Sequence, residues 1–569
     1  MLLYTADAEA IQQIASRREA FPKPLENYVI LSLFGENVLT TGGAVWRMHR
    51  KITSASFNEK NAALVFEVAT KQAQGMVEYW IQQKATDRIT TMEQDTMSLA
   101  LNIIAYVGFG LRLLWPGQTL PADSDPRLAR YAGLDVPAGY TLSFKESIAS
   151  VLHHLMLIMI TPSAVISKWA VAVHVYLSIR TTLTKMQDHA PFAILRCAKE
   201  ARDNLVKFMR EFLVDKVRDV RQGDKDVGMD IMGSLAAASY QADDAKDAKD
   251  DAKVKVRQRT KLTDDEIIGN AFLMFVAGHE TTANVLHFTI LELANNPAAQ
   301  RQLQRDVDAI VGDSDPSTWD YEEATNAMMS SMLAAVMNET LRMMPPVVEI
   351  PKFVNPEQGD QTITIDGAKH VLPVGMYIGL NVASVARNPR YWPSKPSKTE
   401  DEHTDLNDWV PERWFRPNLK EEQAPRQPHT GNGGGMATED AEEFSGESSG
   451  SETGTQLFRP IRGSFIPFSD GARSCLGRRI AQIEIIATLA VIFQRYSVEN
   501  AVDEWAGDEE VSRMPRSEKE ELYWKATGRS RETLRQAQSV VTLKLHGGKY
   551  VPVRLVKRGE ERFVSWIDT

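Results

Sequence analysis

The sequence predicts a mainly α-helical fold with a minor antiparallel β-sheet, and three segments carry that prediction. Thr263-Asp264-Asp265-Glu266 has the form of a capping box, opening a helix that Pro297 should terminate. The middle of that helix, Ala271-Phe272-Leu273-Met274-Phe275-Val276-Ala277, is apolar all round, the mark of a helix running through the centre of a large fold. A second helix is expected over Met328 to Arg342, stopping at Pro345-Pro346. A third follows Gly477, with Ile480, Ile483, Ala487, Ala490 and Phe493 at helical spacing.

The remaining elements follow from local chemistry. Met1 to Arg18 reads as a short strand and a helix capped by Asp7. Strand pairs are expected between Thr362–Ile365 and Met376–Val382, across Asp366-Gly367, and between Val540–Leu545 and Tyr550–Val556, across Gly547-Gly548. The whole of 1–569 is read as a single domain with two insertions. Residues 241–253 are a charged low-complexity run. Residues 418–456 are rich in Gly, Ser, Glu and Thr and cannot bury enough apolar surface to offset their ordering entropy, so a disordered surface loop is expected. The most apolar stretch, Val151 to Tyr176, is interrupted by Pro162, Lys168 and three histidines. It is read as a buried or membrane-dipping helix pair rather than a spanning helix, which needs about 20 apolar residues.

Composition removes several function classes. A formal net charge of -10 argues against non-specific nucleic-acid binding. Two cysteines, Cys197 and Cys475, offer no disulfide framework and no multi-thiolate zinc site, and leave either thiol available for chemistry.

Cys475 has the more informative context, Phe468-Ser469-Asp470-Gly471-Ala472-Arg473-Ser474-Cys475-Leu476-Gly477. It sits just ahead of a helix start, where unpaired N–H groups favour thiolate over thiol. Gly471 and Gly477 permit a tight loop that can approach a flat cofactor, Phe468 adds an aromatic neighbour, and Arg473 a cation for a carboxylate. A buried structural cysteine is the bland alternative, but five positions agree at fixed spacing. In every fixed position the loop resembles the F-x-x-G-x-R-x-C-x-G segment of the cytochrome P450 family. Three further segments resemble the same family in the same chain order. These are Trp46-Arg47-Met48-His49-Arg50 (W-x-x-x-R), Ala277-Gly278-His279-Glu280-Thr281-Thr282 (A/G-G-x-D/E-T-T), and Glu339-Thr340-Leu341-Arg342 with Pro411-Glu412-Arg413.

The resemblance implies the cytochrome P450 fold and a b-type haem whose axial iron ligand is Cys475. It implies that Trp46, Arg50 and Arg473 meet the haem propionates and that Gly278 lets a ligand lie against the central helix. Thr281 would hydrogen-bond the dioxygen being activated and Glu280 relay protons to it, while Glu339, Arg342 and Arg413 form a structural network behind the haem. His279 occupies the variable position of its motif, and Lys352 stands where relatives often carry a propionate-binding arginine. The implied reaction is insertion of one oxygen atom into a small apolar organic substrate. No dinucleotide-binding G-x-G-x-x-G follows a strand, so electrons are expected from a separate NADPH-dependent flavoprotein reductase. A cationic face of Arg47, Lys51, Arg478 and Arg479 is its expected dock.

By resemblance the chain is a fungal microsomal-type member in secondary metabolism, at the cytosolic face of the endoplasmic reticulum membrane. Trp46 falls so early that the N-terminus is expected to be short, without the family's anchor, leaving Leu2–Thr5 at an unpaired sheet edge. A haem-thiolate isomerase, dehydratase or peroxygenase is the rival reading; Glu280 and Thr281 argue against it. Intact motifs argue against a non-functional product.

Overall fold

A computed structural model describes residues 1–83, 88–120, 131–132, 135–154, 190–223, 230–244, 261–397, 403–415 and 457–564. Among these the α-helices of six residues or more are α1 (Ala8–Ser16), α2 (Gly43–Ser54), α3 (Glu59–Gln83), α4 (Met92–Phe109), α5 (Phe144–His153), α6 (Ala190–Gln222) and α7 (Ile231–Asp244). They continue with α8 (Asp264–Asn295), α9 (Pro297–Val311), α10 (Tyr321–Met328), α11 (Met332–Met343), α12 (Arg478–Arg495), α13 (Asp508–Arg513) and α14 (Arg516–Arg535). Helices dominate and strands are short, as the apolar periodicities require.

Local chemistry sets the helix boundaries. Asp7 caps α1 by accepting from the Ala10 N–H at 2.9 Å. The capping box at α8 is reciprocal: Thr263 N–H donates to Glu266 Oε2 at 2.8 Å, and Glu266 N–H donates to Thr263 Oγ1 at 3.3 Å. The helix expected from Met328 instead begins at Met332. Ser331 Oγ accepts from Leu333 N–H, and Asp306 Oδ2 accepts the Met332 N–H at 2.7 Å, so two oxygens cap a start that apolar spacing could not locate.

Among the described residues nine strands make four small sheets. Strand β5 (Tyr377–Asn381) is central in a three-stranded sheet, parallel to β1 (Leu2–Thr5) and antiparallel to β2 (Glu349–Phe353). Strand β1 is thus an edge strand, as expected, with β5 on its other side. The pairing expected for Thr362–Ile365 is corrected: β3 (Gln361–Ile365) pairs with β4 (Ala368–Leu372). Asp366 and Gly367 both have positive φ, 52° and 76°, which closes a two-residue hairpin onto the nearest strand. The C-terminal pairing is corrected too. Strand β9 (Val553–Lys557) pairs with β6 (Tyr496–Asn500), and β8 (Leu543–Lys544) with β7 (Gln538–Ser539). Val553 and Val498 are fully buried in the long-range pair, an apolar gain the local Gly547-Gly548 turn cannot match.

The chain forms two compact units, one of residues 1–24, 62–100 and 280–569, the other of 25–61 and 101–279. In the first, α11 and α12 are buried along nearly their whole lengths. In the second, Phe109 stacks on Phe275 with centroids 4.3 Å apart, and Phe144, Phe208 and Phe212 crowd around Tyr131. Among the described residues no helix is long and apolar enough to cross a membrane. Most of the apolar stretch 151–176, most of the charged run 241–253 and all of 418–456 lie outside the described residues.

Candidate functional site

The cysteine loop is built backwards from α12. Gly477 caps that helix, and Cys475, two residues earlier, is exposed. The loop closes on itself through the Cys475 N–H, which donates to the Phe468 carbonyl at 2.9 Å. Asp470 caps a single turn, Gly471–Arg473, so Arg473 and Cys475 hang from one tight bend. Ser469 and Gly471 both adopt positive φ, 63° and 70°. At Gly471 the reason is spatial as well. A Cβ there would stand 2.4 Å from the Ala15 carbonyl oxygen at the end of α1, and one on Gly463 would stand 2.2 Å from the Ala8 carbonyl at its start. The Arg478 guanidinium lies over the Phe468 ring, 5.6 Å from its centroid.

Three cations converge beside this loop. Lys352 sits on β2. Lys23 follows Pro22, whose carbonyl accepts from Phe353 N–H at 3.1 Å, so backbone pairing brings Lys23 next to Lys352. Burial, then the Arg473 charge, lowers the Lys352 ammonium to about 8, against a weaker opposing pull from Asp470. Burial, then Arg473 and Lys352, push Lys23 down to about 6. Lys352 is 4% exposed, and among the described residues its ammonium has no ion-pair or hydrogen-bond partner. Three mutually repelling cations, Lys352 buried and Lys23 and Arg473 half-buried, with Asp470 as a weaker counter-charge, stand next to the loop that carries the exposed thiol. A haem b, which brings a metal for the thiolate and two carboxylates, fits that donor set. Arg473 was expected here and Lys352 was noted; Lys23 was missed, because a lone lysine in Phe21-Pro22-Lys23-Pro24 carries no spacing signal.

The network around Glu339 is dry. Glu339, Arg342 and Arg413 are each 0% exposed. Arg342 Nε and Nη2 donate to the two Glu339 oxygens, both at 2.8 Å, and Arg413 Nε lies 3.5 Å from Oε1. Trp414 Nε1 and the Val410 N–H supply further donors at 3.1 and 2.9 Å. Arg413 is itself anchored on Asp405, at 2.9 Å to Oδ1. Burial pushes the Glu339 carboxyl up, but Arg342 and then Arg413 outweigh it and hold it below the usual carboxylate range. Asp405 and Trp414 were not anticipated as members.

Helix α8 is buried almost throughout, but Ala277 is exposed and Val276, Gly278, Glu280 and Thr281 are half-buried. The expected motif therefore occupies the accessible stretch of the central helix. Ile104 from α4 borders the place a Cβ would take at Gly278, at 3.0 Å, so close helix packing is one reason for that glycine. His279 is buried. Glu280 forms an ion pair with Lys544.

Trp46 and Arg50 lie one turn apart on α2, in the other unit from Cys475. Trp46 is 3% exposed. Between them His49 ties α2 to α8: Asn270 Nδ2 meets His49 Nδ1 at 2.9 Å, and Glu266 lies 3.5 Å from Nε2. Burial lowers the His49 pKa despite those partners. Arg47 and Lys51 share α2, while Arg478 and Arg479 open α12.

A family model described as Cytochrome P450 matches residues 169–403 and 440–520. The chain is 27% identical to cytochrome P450 monooxygenase 124 of Postia placenta, over 87% of this chain and 75% of that one. It is 28% identical to a cytochrome P450 monooxygenase of Penicillium rubens, over 88% of this chain and 74% of that one. It is 22% identical to the phomenoic acid biosynthesis cluster cytochrome P450 monooxygenase of Leptosphaeria maculans, over 87% and 73% of the two chains.

Proposed function

The chain belongs to the cytochrome P450 family of monooxygenases, and from that premise we propose that it inserts one atom of dioxygen into a small apolar organic substrate, using electrons from a separate NADPH-dependent flavoprotein reductase. The observation that carries this reading is the exposed Cys475 thiol on a loop whose Arg473 charge acts on the buried Lys352 ammonium. Cys475 would hold the iron of a b-type haem; Arg473 and Lys352 would hold its propionates. The haem, when bound, supplies dioxygen reduction and oxygen insertion.

The chain's own groups do the rest. Phe468, Gly471 and Gly477 shape the loop that presents the thiol. Trp46 and Arg50 enter the proposal as propionate contacts through their motif alone, and Gly278 as the place where a ligand lies against α8. The Thr281 hydroxyl donates a hydrogen bond to the oxygen substrate, and Glu280 carries protons from solvent to it. Glu339, Arg342 and Arg413 hold the scaffold behind the loop.

Relatives such as the phomenoic acid cluster enzyme support a role in secondary metabolism. Attachment to the cytosolic face of the endoplasmic reticulum membrane completes the proposal; the apolar stretch 151–176 supports it, and fractionation of the expressed chain tests it. The reduced, carbon-monoxide-bound spectrum is the test of the cofactor, where the red-shifted Soret band of thiolate ligation is expected. NADPH consumption on addition of reductase then separates monooxygenase from isomerase.

A further inference from the structure

The acid of the central-helix motif has a counter-ion that no motif supplies. Lys544 Nζ donates to Glu280 Oε1, with the two side chains 30% and 18% exposed. Lys544 ends β8, a two-residue strand held in place at two points. Leu543 N–H donates to the Pro346 carbonyl at 2.9 Å. Asn284, one turn beyond Glu280 on α8, donates from Nδ2 to Thr542 Oγ1 at 3.1 Å, both residues being buried. Thr542 and Lys544, two apart on an extended segment, thus engage Asn284 and Glu280, four apart on a helix, so the ammonium is aimed by a fixed docking rather than by a floppy tail.

A second carboxylate lies close enough to feel that ammonium's charge. Glu93 stands in the first turn of α4, half-buried, and both Lys544 and Glu280 act on its charge. Burial raises the Glu93 pKa first; Lys544 opposes this and Glu280 adds to it. The local set is therefore two acids and one base.

We propose that Lys544 is the positioning residue for Glu280, pinning its carboxylate in one arrangement and releasing it for proton transfer when the ammonium moves to Glu93. The inference rests on the proton-carrying role given to Glu280 above. In the released state the carboxylate takes a proton from solvent and yields it to the Thr281 hydroxyl, which passes on its own. Only O–H bonds change, and no electron moves.

The test uses the full haem-loaded chain with NADPH and a flavoprotein reductase, without added substrate. The readouts are the share of electrons leaving as hydrogen peroxide rather than water, and the solvent deuterium isotope effect on NADPH oxidation. Water formation needs further protons delivered to the oxygen, so both readouts follow proton supply. Lys544→Met should raise the peroxide-to-water ratio about fivefold, within the range seen for coupled contacting residues, and Lys544→Arg should return it. A Glu280→Gln chain that shifts the ratio while Lys544→Met does not, or a Lys544→Arg chain that fails to rescue, overturns the inference and leaves the role of Glu280 standing. An unchanged ratio in Glu280→Gln overturns that role itself. Should Lys544→Met lose its carbon monoxide spectrum, Glu93→Gln takes its place. Removing the second station should enlarge the isotope effect, and an unchanged value overturns the proposal.

Discussion

Arg342 meets Glu339 edge to edge, Nε on Oε2 and Nη2 on Oε1, both at 2.8 Å and both side chains out of water. Only a planar guanidinium can make two parallel bonds to one carboxylate, so Arg342→Lys should not substitute. Arg413→Met should cost roughly 3–5 kcal/mol by denaturant unfolding, because it leaves buried Glu339 and Asp405 short of a partner. The sign with pH follows from the lowered Glu339 value. A depressed acid contributes stability that is whole above the unfolded carboxylate range and is lost as pH falls through the folded value. Thermal midpoints of the parent should therefore fall in acid, and a midpoint independent of pH below 5 or so would contradict this.

Cys475→Ser should abolish the thiolate Soret band, while Cys197→Ser should keep it. Both thiols are exposed, so accessibility does not distinguish them; only the loop and its cations do. The reverse pattern would reassign the ligand.

Thr281→Ala should retain the haem spectrum but divert reducing equivalents to peroxide. Measured peroxide per NADPH decides the matter, and a value equal to the parent's would remove Thr281 from oxygen activation.

Lys352→Met should act oppositely on the two forms of the protein. In the haem-free chain the folded Lys352 value is near 8, below its unfolded value. A depressed lysine makes the folded state relatively more stable above the unfolded pKa, and that advantage is lost as pH falls through the folded value. At neutral pH the wild-type lysine therefore costs on the order of 3 kcal/mol, and Lys352→Met should raise the haem-free melting temperature. With haem the same change should speed cofactor loss, measured as transfer to apomyoglobin. Slower loss in the variant would place the propionates elsewhere.

Much of the site was legible because its members are close in sequence. Phe468 through Gly477 span one loop, and Glu339 and Arg342 one helical turn, so spacing alone declares them. Asp405, Trp414, Lys23 and Lys544 reach their partners from distant segments as single residues without a pattern. The same division runs through the fold. Capped helices such as α8 were readable from local chemistry, whereas β6 with β9 joins strands more than fifty residues apart. A nearby glycine turn pointed to the wrong partner because turn chemistry reports only on neighbours.

The two glycine contacts on α1 set a rule about length. Gly463 receives the carbonyl of Ala8 and Gly471 that of Ala15, so two turns of helix are matched against eight residues of loop. Adding or deleting one residue on either side would bring a side chain onto a carbonyl and shift Cys475 with it. Lineages descending from this chain should hold the interval from 463 to 471 at constant length, so gap placement across descendants would trace the outline of α1.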